Sequence, residues 1–110
     1  MKPYYQDDAD LSAAVAILDG WKTGEQVADH STVYWKDGQW VYPFDLPPYA
    51  TSADAVIPLL VAQGEFDIRH RPTEKPAFFV RGHRINWHAE AQTLPRAICL
   101  CLLSATVTRR

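Results

Sequence analysis

The segment "TLPRAICLCLLSA", residues 93–105, restricts the fold more than any other part of the chain. Thr93 can cap a helix there, and Pro95 is tolerated in the first turn. From Ile98 to Leu103 the helix is apolar on every side. A helix without a polar face has to be covered on both sides, within the domain or in a subunit interface. Cys99 and Cys101 fall in this run. Two apart on a helix, they point roughly 200° away from each other and cannot form a bridge. Two ligands alone do not make a zinc site, so both read as small, reduced core residues.

The other elements follow from spacing and turn chemistry. In "DDADLSAAVAILDGW", Asp7 or Asp8 can cap a first helix, and Leu11, Ala14, Val15 and Leu18 form one apolar stripe. Gly20 stands where a left-handed cap belongs, with Trp21 placed to fold back on the last turn. "STVYWKDGQWVYPF" is a hairpin signal, since Asp37-Gly38 suits a two-residue turn that pairs Lys36 with Gln39, Trp35 with Trp40 and Tyr34 with Val41. Thr51 or Ser52 can cap a second helix, "ADAVIPLLVAQ", with Thr51 and Asp54 able to form a capping box, and Pro58 should kink or delay the helix and Gly64 should end it.

"EFDIRH" alternates as a half-buried strand, and "AFFVRGHRINWHA" reads as two more strands around a turn. The expected order is α-β-β-α-β-β-β-α. That is an α+β domain, one unit over residues 1–110, with three helices packed on a mostly antiparallel sheet of about five strands.

Charge is divided unevenly along the chain. Residues 1–68 carry three lysines against eleven acids, a balance of −8, while residues 69–110 carry eight basic residues against two acids, a balance of +6. If the two parts separate in space, the surface is dipolar and can steer a charged partner or favour self-association into a homo-oligomer. If the fold interleaves them, the charges cancel. No apolar run approaches the roughly 20 residues that cross a bilayer. The polar start "MKPYYQDDAD" is not a secretory signal, so a cytoplasmic location and no membrane partner are expected.

Three pieces taken together, "AILDGW", "PPYATSADAVIPLL" and "LPRAICLCLL", resemble the phage ABA sandwich domain family of small bacteriophage- and prophage-encoded proteins. The likeness runs over roughly residues 8–106 and rests on packing and capping features. It implies helices layered on both faces of a central sheet, an α/β/α sandwich, and it brings no catalytic motif to these positions. It also implies residence in the cytoplasm of a bacterial host. Pro58 and the basic, His-rich segment 69–88 depart from the family's pattern.

Within that segment, Arg69, His70, Arg71, Arg81 and Arg84 would converge on an anion or nucleotide if "EFDIRHR" pairs with "FFVRGHR", with His70 or Trp87 stacking on a base. The competing reading is that these arginines are solvated or paired with Glu65, Asp67 and Glu74. A metal set of His70, His83, His88 and Glu90 is disfavoured, because no HxH or HExxH spacing places two imidazoles on one face. Catalysis is not expected: GxSxG and a Gly-rich phosphate loop are absent, and Cys99 sits where a thiolate is disfavoured. No cofactor is expected either.

The aromatic residues Tyr34, Trp35, Trp40, Tyr42, Phe44 and Tyr49 form either a second core layer or an exposed patch for a partner. The functional expectation is a non-enzymatic phage accessory protein that acts by binding. The leading reading is an anti-CRISPR-like inhibitor that meets a host protein, or a protein–nucleic-acid complex of a defence system, through Asp7, Asp8 and Asp10 with Trp35 and Trp40. The alternatives are a protein that sequesters a nucleotide signal through the arginines, or a virion or assembly component.

Overall fold

A computed structural model of the chain describes residues 7–25, 32–83 and 87–108. Three helices, α1 (Asp8–Leu18), α2 (Ala53–Ala62) and α3 (Leu94–Thr108), accompany six strands: β1 (Lys22–Glu25), β2 (Thr32–Lys36), β3 (Gln39–Val41), β4 (Phe66–His70), β5 (Phe78–Gly82) and β6 (Trp87–Ala91). A single 3-10 turn, Pro43–Asp45, carries the chain out of β3. The α+β class stands, but the single sheet of about five strands does not. The strands form two separate antiparallel sheets, β1-β2-β3 and β4-β5-β6.

α3 is the spine. Ala97, Ile98, Cys99, Cys101, Leu102 and Leu103 are all buried, so its apolar surface is covered all round. On one side it packs against β5 and β6, on the other against α1 and α2. Leu11, Val15, Val56 and Leu60 of those two helices and Val80 of β5 are fully buried in the same core. The sandwich expected from the family resemblance, with helices on both faces of one sheet, is therefore not what is built. The second sheet has α3 on one face, while the residues of its other face are mostly exposed to water.

Local chemistry explains most boundaries. The Asp7 carboxylate accepts from the Asp10 N–H at 2.8 Å and caps α1. Gly20 takes φ +97° after its last turn, and the Trp21 N–H donates back to the Ala16 carbonyl at 3.0 Å. Leu18, expected in the buried stripe, is 38% exposed, because the core-facing side of α1 ends at Val15 and Ala16. At α2 the expected capping box is missing. Ser52 is the N-cap without a side-chain bond, and the Thr51 hydroxyl donates to the Pro48 carbonyl at 3.5 Å instead. Pro58 lies inside the helix, which runs through it to Ala62.

The hairpin has the anticipated register, Lys36↔Gln39, Trp35↔Trp40 and Tyr34↔Val41. Asp37 and Gly38 both have positive φ, 52° and 80°. Gly38→Ala is expected to cost about 1 kcal/mol, because a Cβ at that φ meets its own backbone. Thermal unfolding with the Trp35–Trp40 signal in near-UV circular dichroism would check both the cost and the register.

The molecule measures 49 × 30 × 27 Å, with a radius of gyration of 14.6 Å. A compact domain of this length would have roughly 13 Å, so the protein is elongated.

Candidate binding surfaces

Alternation along the first sheet sorts its aromatic residues. From the registers, Lys22, Gly24, Val33, Trp35, Trp40 and Tyr42 share the outward face, while Tyr34 and Val41 turn inward to the core. Trp40 lies back over Gly24: a Cβ built there would sit 3.6 Å from the ring. That lean helps to bury Val33 although it points outward. Trp35 and Trp40 contact at 6.2 Å between ring centroids, and the Lys22 ammonium stands 5.8 Å from the Trp35 ring.

The 43–45 turn extends this aromatic surface. Tyr42 and Phe44 stack at 5.7 Å with planes 5° apart. Trp40 is 63% exposed and Phe44 82%, values that burial in a core would never leave. The six aromatics thus divide: Tyr34 and Tyr49 belong to the core, Trp35 is half-buried against Trp40, and Trp40, Tyr42 and Phe44 form an exposed ridge.

The ridge is flanked by two clefts. One of about 360 Å³ is lined by Glu25, Val33, Trp40, Val41 and Tyr42. The other, about 190 Å³, lies between Asp8 and Ser12 of α1 and the Phe44–Pro48 stretch. Through it Asp8, at the start of α1, becomes a neighbour of Phe44. Each of the acids there also has, or lacks, a structural task. Asp7 is the cap, Asp8 is held by Arg96 at 2.7 Å, and Asp10 is exposed in the first turn. An ion pair with this much exposure contributes at most about 1 kcal/mol, so it leaves Asp8 open to a competing cation.

The second candidate surface is the outer face of β4-β5-β6. The pairing of "EFDIRHR" with "FFVRGHR" is as expected, with Asp67↔Arg81, Arg69↔Phe79 and His70↔Phe78. β6 adds His88 beside Arg81 and Glu90 beside Phe79. Alternation then places Asp67, Arg69, Phe79, Arg81, His88 and Glu90 on one face. His70 belongs to the other face and stacks on Phe78 at 4.4 Å. Arg71 lies beyond β4 and pairs with Glu74 at 3.2 Å. Arg84 and the side chain of Trp87 lie outside the described residues.

Of the four described basic residues that were expected to converge, Arg69 and Arg81 share a face, and His70 and Arg71 do not join them. Two further contacts were not anticipated. His88 stacks on Phe79 at 5.4 Å, and His83 meets Asp67 at 2.6 Å. Register supplied the first. The second arises because His83, just past β5, has its backbone N–H tied to the Glu65 carbonyl. Among the described residues, no group of three His, Cys, Asp or Glu side chains is placed to hold a metal ion.

The charge division is partly spatial. α1, the first sheet, the 43–45 turn and α2 all come from the acidic part of the chain and gather away from β5 and β6, with α3 between. Asp67 on β4 and the Asp8–Arg96 pair cross that division.

The buried thiols are structural. Burial pushes Cys99 up to about 12 and raises Cys101 as well, and the Cys99 thiol donates to the Tyr49 carbonyl at 3.4 Å.

The architecture defines an α+β domain with a two-sided central helix. A crystal structure of a phage protein from Bacillus cereus ATCC 14579 has the same fold: TM-score 0.71 at 16% sequence identity, over 97% of this chain and 94% of that one. No family model matches the chain, and no curated protein matches it. No described helix is long and apolar enough to cross a membrane.

Proposed function

We propose that the chain is a phage or prophage product related to the phage ABA sandwich domain family, with its strands divided between two sheets where the family's pattern has one central sheet. On this reading it works without catalysis, by inserting an aromatic and acidic pole into a cationic site on a host protein. An inhibitor of a host defence system, anti-CRISPR-like in its mode of action, is the fitting role. A protein that blocks a nucleic-acid-binding groove has to offer what nucleic acid offers: negative charge beside flat, stackable rings. The observation that carries the reading is the Trp40–Tyr42–Phe44 ridge, with Phe44 82% exposed, bordered by Asp8 across the smaller cleft and by Asp45 in the turn itself. Support for the phage origin comes from the shared fold with the Bacillus cereus phage protein.

Exposed Trp and Tyr side chains are the residue types that dominate interface energetics, and a central one is worth about 2 kcal/mol or more. Trp40→Ala with Phe44→Ala should therefore weaken capture of the host partner at least about thirtyfold, while the lost Trp35–Trp40 contact lowers stability by only about 1 kcal/mol. The partner is first identified by native mass spectrometry of tagged protein recovered from host lysate, and affinity is then measured with the purified pair. Retained affinity in the double variant, or in Asp8→Lys with Asp10→Lys, would remove this pole from the interface.

A further inference from the structure

We infer that the outer face of β4-β5-β6 is a platform for single-stranded nucleic acid, with Arg69 and Arg81 on phosphates and the Phe79–His88 stack under a base. This goes beyond the proposed function and uses none of the aromatic ridge.

Four observations converge on the ligand's chemistry. Arg69 and Arg81 project from the same face, one residue pair apart on neighbouring strands. Such diagonal positions lie about 7–8 Å apart, within reach of successive phosphates for side chains of this length. Neither guanidinium has an ion-pair or hydrogen-bond partner among the described residues, whereas Arg71 is taken by Glu74 and Arg96 by Asp8. The acid directly opposite Arg81 is Asp67, and His83 occupies it at 2.6 Å. The remaining acid of the face, Glu90 on β6, is two strands from Arg69 and diagonal to Arg81, where both side chains are exposed to water and the pull of an exposed acid is weak.

The aromatic element sits between them. Phe79 on the central strand is half-buried, and the imidazole of exposed His88 covers it with planes 28° apart. The solvated face of an antiparallel sheet is ordinarily polar, so this cross-strand ring pair at its centre offers the face a stacking surface. Base stacking on such a platform is sequence-tolerant, and guanidinium groups bind phosphate oxygens in bidentate fashion.

A strand suits this surface better than a mononucleotide or a duplex. Asp67, Arg69, Arg81, His83, His88 and Glu90 are all exposed, so a free nucleotide would remain mostly in water, whereas small-ligand sites enclose about 70–90% of the ligand. A duplex keeps its bases stacked internally and cannot reach the rings. A flexible strand can add modest contacts over several nucleotides.

The test is fluorescence anisotropy of full-length protein with fluorescein-labelled 15-nucleotide oligothymidine and oligouridine, and with a duplex of the same length. Binding should be detectable at 50 mM salt and weaken about sevenfold by 200 mM, as two phosphate contacts to a single strand require. Arg69→Gln with Arg81→Gln should weaken it at least about tenfold with an unchanged melting curve, because both side chains are exposed, and His88→Ala should do so by about tenfold through lost stacking. Trp40→Ala should leave it unaltered. Equal binding of duplex, insensitivity to the arginine pair, loss through Trp40→Ala, or silence with both single strands would each overturn the inference.

Discussion

Tyr49→Ala should lower the free energy of unfolding by about 5 kcal/mol, and Tyr49→Phe by about 2 kcal/mol. Among the described residues Tyr49 is the largest fully buried side chain, and it sits in an irregular stretch where no ladder of backbone bonds holds it. Its hydroxyl donates to Asp19 Oδ2 at 2.5 Å and accepts from Trp21 Nε1 at 3.3 Å. Asp19 in turn receives Lys36 Nζ at 3.2 Å. One phenol therefore joins the end of α1, the first sheet and the approach to α2.

Alanine removes the ring, which alone accounts for about 3–5 kcal/mol, and strands the Trp21 N–H as well. Phenylalanine keeps the packing and deletes both bonds of the hydroxyl, the charge-assisted one to Asp19 and the one received from Trp21 Nε1. Urea unfolding separates the two contributions. Equal losses for both variants would mean that the hydrogen bonds carry the whole effect, and losses below about 1 kcal/mol for both would remove Tyr49 as an anchor. Should the alanine variant fail to fold, the phenylalanine variant still decides the matter.

The second large effect is alkaline. Burial raises Cys99 from its ordinary value of 9.0 to about 12 in the folded protein. The folded chain then holds a proton that the unfolded chain has already released. Stability from this source is complete below pH 9 and falls as pH climbs toward 12, by up to about 4 kcal/mol for a difference of three pH units. Tyr49, raised by burial and by the adjacent Asp19, acts in the same direction above pH 10.

Cys99→Ala should be less stable at neutral pH through lost packing, yet lose less between pH 9 and 12. Unfolding followed at several alkaline pH values compares the slopes. A slope unchanged by the substitution would show that the thiol is not the group that titrates. The same burial predicts slow alkylation of both cysteines in the native state.

Legibility in the sequence followed burial and turn stereochemistry. The hairpin was readable to the residue because Asp37-Gly38 fixes loop length, and loop length fixes register. α3 was readable because no arrangement of Ile98 to Leu103 offers water a polar side. β1, by contrast, was silent. "KTGE" buries little side-chain surface and carries no large apolar residue, so neither alternation nor hydrophobicity announces it.

The division into two sheets was hidden for a related reason. Six short strands sum to one sheet or two with the same local signals, and the choice depends on how α3 is enclosed. At the candidate surfaces the residue types were visible but not their directions. His70 and Arg71 adjoin Arg69 in sequence, yet one pleat and one loop send them elsewhere. Phe44 became prominent only once the 43–45 turn lifted it onto the stacked Tyr42.

The position of α3 has a consequence for biosynthesis. Every partner it encloses precedes it along the polypeptide, so a ribosome exposes the insides of α1, α2 and β5 before the element that seals them exists. Until residue 103 has cleared the exit tunnel, Leu11, Leu60 and Val80 have no shared interior to enter. Folding in the cell is thereby deferred to a single late closure, and translation pauses just upstream of Leu94 would lengthen the window in which chaperones can capture the nascent chain.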